Sequence, residues 1–280
     1  MDVFPVDWLA ADLPRADAAG GDGGDAQYTV SLFGKRPDGK SACVRVVFYP
    51  YFFVELPPGW MPGRQRLWIA EACRKHGAMS QYSRVVMRVP MWGFTGAKQR
   101  AFAQLAFPTL AAFKKARWRV SHDEKMQTYE ASVDPVVRLF HLRDIKPVQW
   151  VRVARSSVPR EPFSACDVEV ECHFTDLGPS SVTDRPPLII ASWDIETYSS
   201  TGRFPLADNP DDCIIQIATA FQRYGEAEPY LKTVVALDTV NDVPGLEITA
   251  VAREADVITT WTELLRREST DVMIGYNQMQ

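Results

Sequence analysis

The feature that most constrains this chain is the stretch Leu188-Ile189-Ile190-Ala191-Ser192-Trp193-Asp194-Ile195-Glu196. Its apolar run opens directly after Pro186-Pro187 and closes on two carboxylates one residue apart. The turn-like residues Ser199-Ser200-Thr201-Gly202 follow. A short run between such punctuation reads as a buried strand. Strand side chains alternate faces, so Asp194 and Glu196 share one face, roughly 6–7 Å apart along the backbone, and Ile195 takes the other. Carboxylates so placed can reach a pair of divalent cations about 3.5–4 Å apart, the arrangement that cuts phosphodiesters. Oxygen ligands of this kind suit Mg²⁺ or Mn²⁺ better than zinc.

Spacing alone does not decide, because Asp167-Val168-Glu169-Val170-Glu171-Cys172 repeats it. There the acids alternate with Val168, Val170 and Cys172, the pattern of a half-buried strand with a solvated acidic face. Exposed charge is the ordinary outcome. Asp194 and Glu196 instead end a run that is apolar on both faces, where carboxylates need a cation or strong donors.

A chain of 280 residues has room for more than one domain. Its net charge of −4 argues against a strong global attraction to nucleic acid and leaves room only for local basic patches. No apolar run is long enough to span a bilayer, and the start, Met1-Asp2-Val3-Phe4-Pro5, lacks the basic region and apolar core of a secretory signal. The expected setting is therefore intracellular, with no membrane partner. The five cysteines form no CxxC pair and are expected to be reduced thiols; Cys73 and His76 have no second half-site that would complete a zinc centre.

Gly20-Gly21-Asp22-Gly23-Gly24 reads as a surface loop, since no Lys-Ser/Thr or helix start follows it. Residues 28–34 and 43–48 read as strands around the Pro37-Asp38-Gly39 turn, and 51–56 as a third, so the chain is expected to open as a meander. Helices are expected over 66–76, with Leu67, Ala70 and Cys73 inward, and over 97–117 with a break at Pro108. Lys114, Lys115, Arg117 and Arg119 surround Trp118, a combination that could grip a nucleic-acid backbone or simply favour a helix C-terminus. Strands are expected on either side of Asp144, and loop over 154–163.

Gly178-Pro179-Ser180-Ser181 and Pro186-Pro187 mark a boundary, giving expected domains of 1–185 and 186–280. Beyond it, strands are expected at 188–196, 213–221, 230–237 and 272–276. A helix over 256–267 carries Ile258, Trp261, Leu264 and Leu265 at helical spacing and ends on Arg266-Arg267. The expected fold class is α/β: a mixed β-rich amino-terminal domain, then the start of a ribonuclease-H-like nuclease domain.

Several blocks now resemble the family B DNA polymerases, most of all the delta-type catalytic subunits and their relatives in large DNA viruses. Asp194-Ile195-Glu196-Thr197-Tyr198-Ser199-Ser200, Phe204-Pro205 and Ile214-Ile215-Gln216-Ile217 are similar to the first motif of the proofreading exonuclease and its surroundings. Gly275-Tyr276-Asn277 is similar to the start of the second. Leu32-Phe33-Gly34, Tyr49-Pro50-Tyr51-Phe52-Phe53-Val54, Trp92-Gly93-Phe94 and Tyr129-Glu130-Ala131 resemble amino-terminal blocks. The resemblance implies that Asp194 and Glu196 are catalytic and hold two Mg²⁺ or Mn²⁺ ions of a 3′→5′ exonuclease. It implies that Thr197, Tyr276 and Asn277 contact the single-stranded primer end. It also implies a DNA primer-template, dNTPs through domains outside these residues, a sliding clamp and accessory subunits, and a nuclear or viral replication compartment.

The family's Phe-Asp after the second motif and its palm carboxylates are not among these 280 residues. The chain therefore looks like an amino-terminal fragment, expected by itself to be inactive. Two other readings remain at this stage: a stand-alone ribonuclease-H-like exonuclease, and a DNA-binding module whose carboxylates are structural.

Overall fold

The computed structural model describes residues 1–14, 26–90 and 96–276. The early glycine run, the Trp92-Gly93-Phe94 block and Asn277 lie outside the described residues. Contacts divide the chain into two compact units, one of Met1–Phe33 and Ser41–Val182, the other of Gly34–Lys40 and Thr183–Gln280.

The first unit begins with β1 (Asp2–Pro14), β2 (Ala26–Lys35), β3 (Ser41–Val47) and β4 (Tyr51–Glu55). It continues with α1 (Pro62–His76), β5 (Arg84–Arg88), β6 (Arg100–Ala106), α2 (Leu110–His122), β7 (Thr128–Tyr129) and α3 (Pro135–Arg143). β8 (Val151–Val153), β9 (Val168–His173) and β10 (Leu177–Pro179) close it. A six-stranded sheet has the order β10-β8-β1-β2-β3-β9, and a four-stranded antiparallel sheet the order β5-β6-β4-β7. The expected meander thus stops after β3, because β4 leaves for the second sheet. One core joins Val30, Leu32, Val44, Val46 and Val151 of the larger sheet to Leu139 of α3. Another joins Phe52, Val54, Ala103 and Leu105 to Ile69 of α1 and Phe113 of α2.

Three expectations for this unit fail for physical reasons. Residues 100–106 form strand β6, not helix, because hydrogen-bonded neighbours flank them on both sides, Tyr51↔Ala106 on β4 and Arg84↔Gln104 on β5. Cross-strand pairing overrides the helix propensity of Ala, Gln and Leu. The helix starts only after Pro108, where Thr109 accepts the Ala112 N–H at 3.1 Å. Near Asp144 the chain is helical before and strand only after. Asp134 caps α3 by accepting the Val136 N–H at 2.7 Å, Pro135 stands in its first turn, and Asp144 ends it at φ 51°. In α1 the inward residues are Ile69, Ala72 and His76, whereas Leu67 is 72% exposed.

The second unit holds β11 (Ile189–Tyr198), β12 (Cys213–Arg223), β13 (Leu231–Leu237), β14 (Glu247–Val251), α4 (Glu254–Arg267) and β15 (Val272–Ile274). They form a five-stranded sheet of order β14-β13-β12-β11-β15 with α4 on one face. Leu264 packs on Ala191 and Phe221, and Val257 on Ile217 and Val235. The Trp261 indole lies 4.8 Å from Trp193 and donates to the Thr219 hydroxyl at 3.0 Å. β14, which the sequence reading passed over, is a parallel edge strand on β13. The mixed α/β class holds. Among the described residues no helix is long and apolar enough to cross a membrane.

Candidate metal centre

β11 is the second strand from the edge of its sheet, antiparallel to β12 and parallel to β15. Its alternation divides it cleanly. Ala191 and Trp193 face α4, and Ser192, Asp194 and Glu196 face the other way. Asp194 pairs with Ala218 and Glu196 with Gln216 on β12. Directly after Glu196 the register slips, so that Thr197 opposes Ile214 and Ile215 is left without a partner on β11. The extra residue sits on β12, so the bulge bends that strand beside Glu196 and Thr197.

The parallel register matches Ser192 with Ile274. β15 ends there, and Tyr276 lies two residues beyond it in a turn. Tyr276 is 86% exposed. The structure thus sets Asp194, Glu196 and Thr197 along β11, and Tyr276 past the end of the neighbouring β15; Asn277 lies outside the described residues.

One sequence expectation needs correction. Asp194 and Glu196 do not end a strand buried on both faces. Both are exposed, and Ala191 is the only buried residue of β11. α4 covers one face of the strand, while the carboxylate face opens onto a groove of 390 Å³ lined by Ser192, Asp194, Ala218, Ala220, Lys232 and Leu246. Small side chains at Ser192, Ala218 and Ala220 keep that floor low. The carboxylates are thus hydrated, and the Asp194 carboxylate accepts the N–H of Ile195 at 3.0 Å. Their oxygens suit Mg²⁺ or Mn²⁺ as part of a ligand set. Among the described residues no group of three or more His, Cys, Asp or Glu could hold a metal.

Sequence reasoning missed Asp212. Its carboxylate accepts from Ser200 N and Leu206 N, at 2.8 and 2.9 Å, and from the Ser200 hydroxyl at 2.9 Å. These bonds, the Leu206 N–H first, hold it below the usual carboxylate range and tie the loop after the two carboxylates to the start of β12. Asp211-Asp212 just before an apolar run was the available signal. The competing acids behave as side chains of the fold. Asp167 accepts from Ser41 N and Oγ at 2.8 and 2.7 Å, and Glu169 accepts from the Phe163 and Ser164 backbone. That acidic face is stitched to its neighbours more than it is solvated.

A family model described as DNA polymerase family B, exonuclease domain, matches residues 126–280. The chain belongs to DNA polymerase family B. A DNA polymerase from Paramecium bursaria Chlorella virus NY2A is 45% identical over 280 residues, a match covering 100% of this chain and 30% of that protein. The DNA polymerase delta catalytic subunit of Schizosaccharomyces pombe is 25% identical over 269 residues, covering 89% of this chain and 25% of the relative. Among solved structures, the family B DNA polymerase from Pyrobaculum calidifontis superposes with a TM-score of 0.62 at 17% identity, over 99% of this chain and 30% of that one. This last likeness supports the fold alone. The chain spans under a third of the length of these relatives.

Proposed function

We propose that these residues form the amino-terminal region and the first part of the 3′→5′ exonuclease of a DNA-directed DNA polymerase that proofreads while it replicates DNA. The observation that carries this is the placement of Asp194 and Glu196 on one exposed face of β11, just past its last pairing with β15, in a chain of this family. Residues 1–185 are assigned to the amino-terminal domain and 186–280 to the exonuclease.

In this reading Asp194 and Glu196 contribute oxygen ligands to two Mg²⁺ or Mn²⁺ ions, which when bound activate a water and stabilise the leaving 3′ oxygen. Thr197, just past the bulge in the partner strand, together with Tyr276 and Asn277, contacts the single-stranded 3′ end. The two carboxylates are a partial ligand set, so the 280-residue chain by itself is inactive in nucleotide incorporation and in efficient excision. The polymerase that carries it acts on primer-template and dNTPs, works with a sliding clamp and accessory subunits, and serves the nucleus or a viral replication compartment.

The test is excision of a mismatched 3′ nucleotide by that polymerase, comparing the parent with Asp194→Ala and Glu196→Ala. Each substitution should slow excision by about a thousandfold, the loss of several kcal/mol of transition-state stabilisation, while incorporation persists. Unchanged excision would refute the assignment and favour a DNA-binding module with structural carboxylates.

A further inference from the structure

Helix α2 turns Phe113, Ala116 and Val120 into the core of the four-stranded sheet and leaves Lys114, Lys115, Arg117 and Trp118 outside. Trp118 is 55% exposed. Its indole stacks on the imidazole of His122, one helical turn on, with centroids 4.9 Å apart and planes 13° from parallel. The imidazole is held in place from below, its Nδ1 lying 3.0 Å from the Trp118 carbonyl oxygen and 2.9 Å from Ser121 Oγ. The two rings form a preset, solvent-exposed slab.

The charges around this slab have no internal use. Among the described residues no ion pair engages Lys114, Lys115, Arg117 or Arg119. Two of the neighbouring carboxylates are committed elsewhere: Glu124 to Lys75 and His76, and Asp12 to the N–H groups of Leu110 and Ala111. The helix dipole accounts for Arg119 and His122 in the last turn. It does not account for Lys114 and Lys115 at mid-helix, nor for an indole left in water. Cations flanking a bare aromatic face complement a polyanion that carries flat rings. An acidic polypeptide would satisfy the cations and leave the slab idle, and a duplex keeps its base faces inside the stack.

We propose that this face of α2 is a stacking platform for single-stranded nucleic acid, with a base on the Trp118–His122 slab and Lys114, Lys115 and Arg117 on the adjoining phosphates. Base–aromatic stacking tolerates any sequence, and backbone contact by lysine and arginine adds salt dependence. The inference uses neither Asp194 nor Glu196, so it stands or falls separately from the proofreading reading.

The experiment is fluorescence anisotropy of a labelled oligodeoxythymidylate of about 20 nucleotides, long enough to cover the site sizes usual for such grooves, titrated with the 280-residue chain. Trp118→Ala should weaken binding roughly 5- to 150-fold, the loss of one stacked base, and Trp118→Phe should restore most of it. The pair Lys114→Ala and Lys115→Ala should lower the slope of log affinity against log salt by about 1.4, at roughly 0.7 per phosphate contact on a single strand. No binding by the parent, equal binding by Trp118→Ala, or equal binding of an abasic oligonucleotide would overturn the proposal. Polyglutamate displacing the oligonucleotide on equal terms would also overturn it, in favour of an acidic protein partner.

Discussion

Asp271 accepts the backbone N–H of Ile189 on Oδ2 at 2.8 Å, and its own N–H donates to the Ile189 carbonyl at 2.9 Å. The residue before β15 thus fixes the first residue of β11, and with it the parallel register that pairs Ser192, two residues before Asp194, with Ile274. The other oxygen of the same carboxylate lies 3.2 Å from Nζ of Lys35, with side-chain exposures of 11% and 6%.

Breaking this pair from one side should be costly, because it strands a buried charge. Asp271→Asn keeps an acceptor for Ile189 but leaves the Lys35 ammonium uncompensated. The expected loss is about 3–5 kcal/mol in denaturant unfolding. Adding Lys35→Met should recover most of it, since a neutral pair carries no desolvation penalty. A double variant as unstable as the single one would show that the ion pair is not what the fold relies on.

Acid sensitivity should come in part from Glu124. Burial opposes its ionisation, but hydrogen bonds from Lys75 at 2.5 Å and His76 at 2.8 Å outweigh that and hold it below its ordinary 4.5. A carboxylate depressed in the folded state contributes stability that is present above its unfolded value and lost as pH falls through the folded one. Urea midpoints measured from neutral pH downward should therefore fall below about pH 4.5, and Glu124→Gln should flatten that fall. An identical slope in the variant would remove Glu124 from the account.

The Asp134 cap should be worth about 1 kcal/mol, the usual cost of replacing such a residue by alanine. It accepts from both Val136 N and Val137 N at the start of α3, so Asp134→Ala should lower the unfolding midpoint and Asp134→Ser should largely hold it. Equal stability of all three proteins would mean that Pro135 and tertiary packing set the helix start alone.

β11, β12 and α4 were legible in the sequence because local pattern and tertiary role agree: apolar runs bounded by turns, and Trp261, Leu264 and Leu265 at helical spacing. β6 was not, because Ala101, Ala103, Gln104 and Leu105 favour a helix and only the strands on both sides make it a sheet. α3 was announced by Asp134-Pro135, a cap followed by a first-turn proline, a local signal that its mixed composition obscured. At the candidate site, residue types and spacing were readable. The exposure of Asp194 and Glu196 was not, because alternation tells which face a side chain takes and not what covers that face.

That exposure gives the two carboxylates their sharpest test. If Asp194 and Glu196 served the fold, removing them would cost stability. On the open face of β11, the one side-chain hydrogen bond the pair makes among the described residues is that of Asp194 with the Ile195 N–H. Asp194→Ala and Glu196→Ala should therefore each change unfolding free energy by no more than about 0.5 kcal/mol, the range of surface substitutions away from special features. Calorimetric titration with Mn²⁺ should behave differently, with heat of binding in the parent polymerase lost or strongly weakened in both variants, since each removes an oxygen ligand. Stability unchanged with metal binding lost assigns the pair to chemistry. Metal binding indifferent to both substitutions, or a stability loss comparable with that of Asp271→Asn, would make them structural.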